Sequence, residues 1–165
     1  MPDLTSEPAF AARLRSLVDG AEPRLRSIAD DASAARPAPG KWSPREVIGH
    51  LIDSASNNHQ RFVRAAFQDD LIFTGYDQDE WVSLQRYNAQ SWPDLITLWC
   101  HFNHHIASVM TVVPRDVMTR SHTRHNLDQI AFRTDLVPVE PSLEFFMNDY
   151  VDHLEHHLNQ ILRGR

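Results

Sequence analysis

Cysteine is almost absent from this sequence, in which Cys100 is the only one among 165 residues. A single thiol excludes an intramolecular disulfide and also a zinc site built from several cysteines. This composition suits a reducing compartment, so we expect a cytoplasmic protein. Glycine is also scarce, with five residues, which excludes a fibrous or low-complexity chain.

Basic residues are outnumbered, since 16 lysines and arginines stand against 22 acidic residues, for a net charge of −6 with neutral histidines. An acidic chain gives no electrostatic support to nucleic-acid binding. No apolar run approaches the ~20 residues that cross a membrane. Residues 1–10 also lack the basic and apolar order of a secretory signal. We expect neither a nucleic-acid partner nor a membrane association.

What the sequence does contain is helical periodicity. Apolar residues recur every three or four positions in four segments, which predicts four amphipathic helices. The length is that of one domain, covering residues 1–165. We therefore predict an all-α, up-and-down four-helix bundle with long connections between helices two and three and between helices three and four.

The helix boundaries are predicted from proline and from capping residues. The first helix would cover residues 6–31, with a kink or break at Pro23. The other three would each begin after a serine that can accept a hydrogen bond from the first turn: Ser43, Ser91 and Ser142. At Ser43, a following proline and a glutamate three positions later complete a capping box.

Histidine is the most informative residue type, with ten in the chain. His153 and His157 stand four residues apart in the fourth helix, so both imidazoles lie on one face and can reach one cation. His156 points about 100° further round, toward solvent. Such pairs also arise by chance on ordinary polar faces, and two ligands rarely suffice for a divalent ion. A metal site would need a third ligand from elsewhere.

His50 lies beside the apolar stripe of the second helix. Ser54, Asn57 and Arg61 continue the same polar seam along that helix. By itself, His50 is better explained as a hydrogen-bonded boundary histidine than as a ligand. Its interpretation depends on what it faces in the folded protein.

The third helix carries more histidines. His101 and His104 are predicted to point away from the core, and His105 at its edge is a reserve ligand.

Two other segments contain charged clusters. The acidic residues Asp77, Asp79 and Glu80 could orient metal-bound imidazoles, or they could form a solvated surface turn.

The segment 115–141 has little periodicity and is too long for a tight turn, and loops of this length are often functional lids. Four of its residues suit an anionic ligand facing the metal: Arg120, His122, Arg124 and His125.

Two separated segments resemble the DinB/YfiT-like superfamily of bacterial four-helix-bundle metalloproteins. PGKWSPREVIGHLIDS, at residues 39–54, is similar to that family's W-[ST]-x-x-x-V-x-x-H-[LV]-x-[DE] segment. HLEHHLNQI, at residues 153–161, is similar to its H-x-x-x-H-x-x-Q ending. The order and separation of the two motifs also match.

The resemblance implies a divalent metal site formed by His50, His153 and His157, with open positions for water or substrate. Zn²⁺ or Ni²⁺ would be the preferred ion, with Fe²⁺ or Mn²⁺ as alternatives. Asp53 and Gln160 would be positioning residues, and no counterpart of a general base is present.

The activities implied by the resemblance are those of a metal-dependent transferase using a low-molecular-weight thiol such as bacillithiol or mycothiol, or of a hydrolase, acting on a small molecule. Fold and metal do not define a reaction. One alternative is a non-catalytic stress protein that binds a metal or small ligand. Another is a structural bundle with surface histidines. The aromatic-rich helices are compatible with a homodimer, and nothing in the sequence requires one.

Overall fold

A computed structural model describes residues 7–163. Four long helices form its body: α1 (Ala9–Arg26), α3 (Pro44–Ala65), α5 (Trp92–Val112) and α8 (Leu143–Leu162). The connections contain four short helices, α2 (Asp30–Ala34), α4 (Gln78–Gln85), α6 (Arg115–Thr119) and α7 (Leu127–Ile130). They also contain two 3-10 turns, η1 (Tyr87–Ala89) and η2 (Thr134–Leu136). The expected all-α four-helix bundle is confirmed.

The predicted serine caps start three of the four long helices. The hydroxyl of Ser43 accepts the N–H of Glu46 at 3.2 Å, and the Glu46 carboxylate accepts the N–H of Ser43 at 2.8 Å. Ser91 and Ser142 each accept the N–H of the residue three positions later. These side chains satisfy backbone donors that a helix start would otherwise leave without a partner.

The first helix differs from its prediction. It continues through Pro23 without a break and ends at Arg26, and α2 follows as a separate turn. Ala21 and Leu25, on either side of the proline, are buried, and this packing keeps the last turn helical despite the lost hydrogen bond. The helix begins at Ala9, and the expected start at Ser6 lies outside the described residues.

The long helices form a ring in which α1 lies diagonally opposite α3, and α5 lies diagonally opposite α8. α5 and α8 each pack against both α1 and α3. Contacts between α1 and α5 show that these two helices are antiparallel, since Arg15 reaches Ser108 while Arg26 reaches Thr97. The pair formed by α3 and α8 is likewise antiparallel, because Phe62 meets Phe146 at one end.

The bundle departs from strict up-and-down alternation where α3 and α5 meet. Arg45 at the start of α3 contacts Gln90, just before α5, and His59 further along contacts His105. The two helices therefore run in the same direction. Residues 66–91 are long enough to return the chain along the bundle, which is what two parallel neighbours require.

An aromatic cluster joins α3 to α8 inside the core. The ring of Phe62 stands edge-on to Phe146 and to Tyr150, with centroids 5.7 Å apart in both pairs. Such edge-to-face pairs contribute about 0.5–1.5 kcal/mol beyond the area they bury. The cluster holds the two helices in register below the histidines.

The two long connections are joined by hydrogen bonds. The backbone of Leu71 donates to Arg124 at 3.0 Å and accepts from Asn126 at 3.1 Å. The Asn126 side chain also bonds both backbone groups of Phe73. Both connections are thereby ordered against the same side of the bundle. Within residues 7–163, no helix is both long and apolar enough to span a bilayer.

Gly49 permits a close approach between α3 and η1. A Cβ atom at this position would lie 2.1 Å from the ring of Tyr87, far inside van der Waals contact. Tyr87 is buried, and its hydroxyl donates to Asp53 one turn further along α3. The glycine therefore allows the turn before α5 to pack on the helix that carries His50.

We predict that Gly49→Ala destabilises the protein by about 1–3 kcal/mol, because the added methyl group must displace the Tyr87 ring. Gly20→Ala is the matched control, since it lies in α1 with no atom within 4 Å of the added Cβ. That control should be neutral or stabilising by roughly 0.4–1 kcal/mol. Urea unfolding measures both variants, and equal stability of the two would contradict the packing described here.

Candidate metal centre

The antiparallel packing of α3 on α8 brings together the three histidines predicted as ligands. The Nε2 atoms of His50 and His153 are 3.1 Å apart, and the rings of His50 and His157 have centroids 4.7 Å apart. One nitrogen from each of the three rings lies within 4.8 Å of the others. His50 is buried, and the other two are half-buried.

Hydrogen bonds to the remaining ring nitrogens indicate which tautomers are present. Nδ1 of His157 lies 2.9 Å from the amide oxygen of Gln160, which can only accept, so Nδ1 carries the proton. Nδ1 of His153 lies 3.4 Å from the hydroxyl of Ser54. The Nε2 lone pair of His157 is then available for a cation, and that of His153 is available when its Nδ1 donates to Ser54. Nδ1 of His50 is buried without a hydrogen-bond partner.

This donor set fits a divalent metal ion. Two nitrogens bound to one tetrahedral zinc at about 2.0–2.1 Å stand roughly 3.3–3.4 Å apart, close to the 3.1 Å between His50 and His153. Imidazole ligands suit Zn²⁺ and Ni²⁺. The ligand assignment itself stays a prediction.

Burial keeps the three imidazoles neutral. Burial, with the nearby His157 as a second cause, lowers the pKa of His50 from its ordinary 6.5 to about 3. Burial and the neighbouring histidines lower the pKa of His153 well below its ordinary value. Burial also lowers the pKa of His157, although the hydrogen bond that His157 donates to Gln160 opposes this shift. Neutral imidazole is the form that binds a metal.

The two expected positioning residues have different surroundings. Gln160 contacts His157 directly, as described above, and its amide nitrogen lies 3.1 Å from His156. Asp53 contacts none of the three predicted ligands. Its Oδ1 accepts from the Tyr87 hydroxyl at 2.6 Å and from Gln85 at 2.7 Å, so it holds the α4–η1 turn against α3.

The remaining helix histidines lie outside the cluster. His156 is exposed, as predicted. His105, predicted as a reserve ligand, instead lies 3.3 Å from His59 on the surface, and that prediction is wrong. His101 is exposed, and the half-buried His104 lies 2.9 Å from Asp19 of α1.

The acidic cluster forms a surface helix start. Asp77 caps α4 by accepting the N–H of Glu80 at 2.9 Å, and Asp79 and Glu80 are exposed in its first turn. No hydrogen bond joins these three residues to the histidine cluster within residues 7–163. The structure therefore agrees with the surface interpretation of this cluster.

The cationic part of the segment 115–141 lies away from the histidine cluster, so its predicted role is wrong. His122 binds the carbonyl of Asp69, and Arg124 lies 3.5 Å from the Asp70 carboxylate. The backbone of His122 pairs with Pro141, just before α8, whereas His153 is about three turns further along that helix. Arg120 and His125 do not line the cavity beside the cluster either.

Residues 129–132 are the part of that segment that reaches the site. They close one side of a cavity of about 340 Å³ whose other walls are α3, α8 and residues 75–78. His50 and His153 line this cavity, and the ring of Phe132 lies edge-on to His153 at 5.3 Å. The segment thus covers the site, as a lid would, through apolar residues.

A second cavity, of about 730 Å³, opens on the other side of the histidine cluster. Its walls include Trp42, His157 and Gln160, and it also contains the two cationic residues Arg36 and Lys41. The Trp42 ring packs on His50 with centroids 5.0 Å apart. The predicted ligands therefore lie where two cavities approach each other.

Several residues of the first cavity were not identified from the sequence. Asn58 lines it in place of the expected Asn57, which is turned back to bind the carbonyl of Asp53. Asp149 accepts the N–H groups of Phe132 and Arg133 at 2.7 and 2.9 Å and so holds the covering segment. Its position four residues before His153 on the same helix face is a signal that could have identified it.

These features define a four-helix bundle with a histidine cluster between two of its helices. The sequence profile of the DinB superfamily matches residues 13–161. The chain belongs to the DinB superfamily. The family and bundle type predicted from the two motifs are thereby confirmed.

Two individual proteins are similar. YfiT from Bacillus subtilis, described as a probable metal-dependent hydrolase with an unusual four-helix bundle topology, has a TM-score of 0.76 at 17% identity. The superposition covers 93% of this chain and 82% of that one, and it shows a shared fold. A protein of Oceanobacillus iheyensis, named as a candidate metal-dependent hydrolase, is 39% identical over 49 residues. That match spans 30% of this chain and only 28% of the relative.

We predict that His50→Ala, His153→Ala and His157→Ala each lose nearly all bound metal, because two imidazoles rarely hold a divalent ion. His156→Ala is the matched control, since this exposed neighbour on the same helix should leave metal content unchanged. Elemental analysis of protein purified without a metal-affinity tag measures the content. Equal loss in His156→Ala and His153→Ala would show that the ligands lie on another face.

The stability of the metal-free protein should fall as the solution is acidified below about pH 6.5. Below that pH the unfolded chain protonates histidines that the folded site keeps neutral, so the unfolded state binds more protons. The buried His50 should lower the free energy of unfolding by roughly 2 kcal/mol between pH 6.5 and 5. Urea unfolding at both pH values should show a smaller loss in His50→Gln, whereas the exposed control His101→Gln should match the wild type. If His50→Gln loses as much stability on acidification as the wild type does, the lowered pKa of His50 is contradicted.

Proposed function

We propose that this protein is a divalent-metal-dependent enzyme acting on a small molecule, with His50, His153 and His157 as the ligands of Zn²⁺ or Ni²⁺. The observation that carries the proposal is the convergence of three neutral imidazoles beside a cavity of ligand size. A site of this kind leaves coordination positions open, which is typical of reactive rather than structural sites.

When bound, the ion would lower the pKa of a water or thiol and so supply a nucleophile at neutral pH. The protein orients the imidazoles through Gln160 and Ser54. The Phe132 ring shields His153 from solvent on one side. Burial raises the pKa of Tyr76 to about 12, so this cavity-lining phenol stays protonated and can donate a hydrogen bond to a substrate.

Hydrolysis is the first candidate reaction. The names of the two similar proteins point to metal-dependent hydrolases, and water would be the second reactant. A single organic ligand in the cavity lined by His50 and His153 would then suffice.

Transfer to a low-molecular-weight thiol is the second candidate, favoured by the second cavity. Two organic reactants need two binding spaces, and His157 borders a separate space of about 730 Å³. Arg36 and Lys41 in that space carry positive charge suited to the anionic groups of a thiol cofactor. The cytoplasmic location, the single domain and a homodimer stay predictions.

The proposal is tested by assaying metal-loaded protein against a panel of esters and amides, and against an electrophile with bacillithiol or mycothiol. We expect turnover that disappears on chelation, returns with Zn²⁺ or Ni²⁺ and is lost in His153→Ala. Turnover with water alone indicates a hydrolase, and turnover that requires the thiol indicates a transferase. Bound metal without any turnover would favour the non-catalytic binding protein.

The metal should serve chemistry more than folding. The four long helices bury a continuous apolar core, so chelator-treated protein should keep its helical circular dichroism and unfold cooperatively. Metal at about a hundred times its Kd should then add about 2.7 kcal/mol to the free energy of unfolding. Collapse of the helical signal on metal removal would make the site structural and contradict the catalytic proposal.

A further inference from the structure

Arg61 is a buried cation that forms no ion pair with another of the described residues. Its side chain is only 6% exposed, on α3 about three turns beyond His50. Nη1 donates to the Asn58 amide oxygen at 3.3 Å, and Nη2 donates to the carbonyl of Thr74 at 2.8 Å. Across residues 7–163, no carboxylate oxygen lies within 4 Å of this guanidinium. The other buried arginine, Arg45, forms an ion pair with Asp30. Burial lowers the pKa of Arg61, and the group that opposes this shift is the Tyr76 phenol rather than a carboxylate.

An unpaired charge of this kind is costly to keep in a protein interior. Buried charges are normally paired, since only an opposite charge or full hydrogen bonding offsets the hydration that a charge loses on burial. Arg45, which is 8% exposed on the same helix, follows that rule and contacts the Asp30 carboxylate at 2.6 Å. Arg61 departs from this rule and is free to pair with an anion that enters the cavity.

The Arg61 side chain lines the cavity of about 340 Å³ that is also lined by His50 and His153. Only two of the five N–H groups of a guanidinium are used by Asn58 and Thr74, which leaves donors for a planar anion. The guanidinium also lies 5.9 Å from the ring centroid of Tyr76. The remaining walls include the aromatic rings of Phe132 and Phe146.

We propose that this cavity binds a small carboxylate whose anionic group pairs with Arg61 and whose apolar body lies between the aromatic walls. The cavity volume is at the low end of the roughly 300–1,000 Å³ of ligand pockets, which suits a molecule with one ring. A monoanion is favoured over a phosphate dianion, because Asp149 lines the same cavity and would repel a second negative charge. A small carboxylate would be the substrate class of the proposed enzyme. That role rests on the proposed function, whereas the binding of the carboxylate to Arg61 does not.

The geometry also says where the reacting group would lie. Arg61 and His50 both line the cavity from α3 and are about three helical turns apart along that helix, and His153 lies beside His50. A ligand held at Arg61 by its carboxylate therefore points its other end toward His50 and His153. Arg61 would act as a binding and positioning residue, outside the ligand set of the metal.

The test is direct binding of 4-fluorobenzoate, followed by ¹⁹F NMR, with the neutral 4-fluorobenzamide as the isosteric comparison. Both ligands are titrated into metal-free and zinc-loaded protein. We expect the benzoate to bind in both forms and the benzamide to bind at least about tenfold more weakly, because it lacks the charge that Arg61 requires. Zinc binding is measured separately, so the benzoate titration can be interpreted even if the protein binds no metal.

Arg61→Gln should weaken benzoate binding roughly ten- to hundredfold, the loss expected for charged hydrogen bonds, without changing zinc content. Arg64→Gln is the matched control, since Arg64 is exposed on the same helix and should retain full affinity. Arg61→Lys keeps the charge without the planar fork and should show intermediate affinity. If Arg61→Gln loses the hydrogen bond to Thr74 and fails to fold, Arg61→Lys is the variant whose benzoate affinity is compared with that of the wild type.

Three results would overturn the proposal. The first is wild-type protein that binds no benzoate. The second is an Arg61→Gln or Arg61→Lys variant, folded by circular dichroism, that binds benzoate as tightly as the wild type. The third is benzoate binding that requires zinc and does not respond to Arg61 substitution, which would assign the anion to the ion instead.

Discussion

The antiparallel contact between α3 and α8 is the constraint on which the rest of the site depends. It places His50 of one helix against His153 and His157 of the other, and the Phe62 cluster below them holds the register. Burial removes water from the three imidazoles, which disfavours their charged form, so the folded protein keeps them neutral. The same burial that depresses their pKa values prepares three lone pairs for a cation.

The helix order explains how distant segments reach these histidines. Because α3 and α5 run in the same direction, residues 66–91 must travel back along the bundle, and on the way they carry Tyr76 to the cavity. The second long connection supplies another wall of the cavity, where Asp149 holds Phe132 through a backbone hydrogen bond. The crossover that the topology requires is therefore also the source of the cavity walls.

Positive charge at the site contrasts with the acidity of the whole chain. Arg61 stands in one cavity, and Arg36 and Lys41 stand in the other, within a protein of net charge −6. Isolated cations inside concave, partly apolar sites favour anionic small molecules over extended polyanions. Membership of the DinB superfamily accounts for the bundle and the histidine motifs, whereas the reaction depends on these particular cavity residues.

The sequence by itself determined the elements whose causes are local. Ser43, Ser91 and Ser142 start their helices because a capping hydroxyl acts within one turn, and the i,i+4 spacing of His153 and His157 follows from helical geometry. The family motifs also predicted that His50 joins their cluster, but only the tertiary structure decided that His105 does not and that Arg120 and Arg124 lie elsewhere. It also decided that no carboxylate of residues 7–163 pairs with Arg61. These facts depend on which helices become neighbours and on how long connections cross the bundle, and such contacts join residues about a hundred positions apart, where periodicity carries no information.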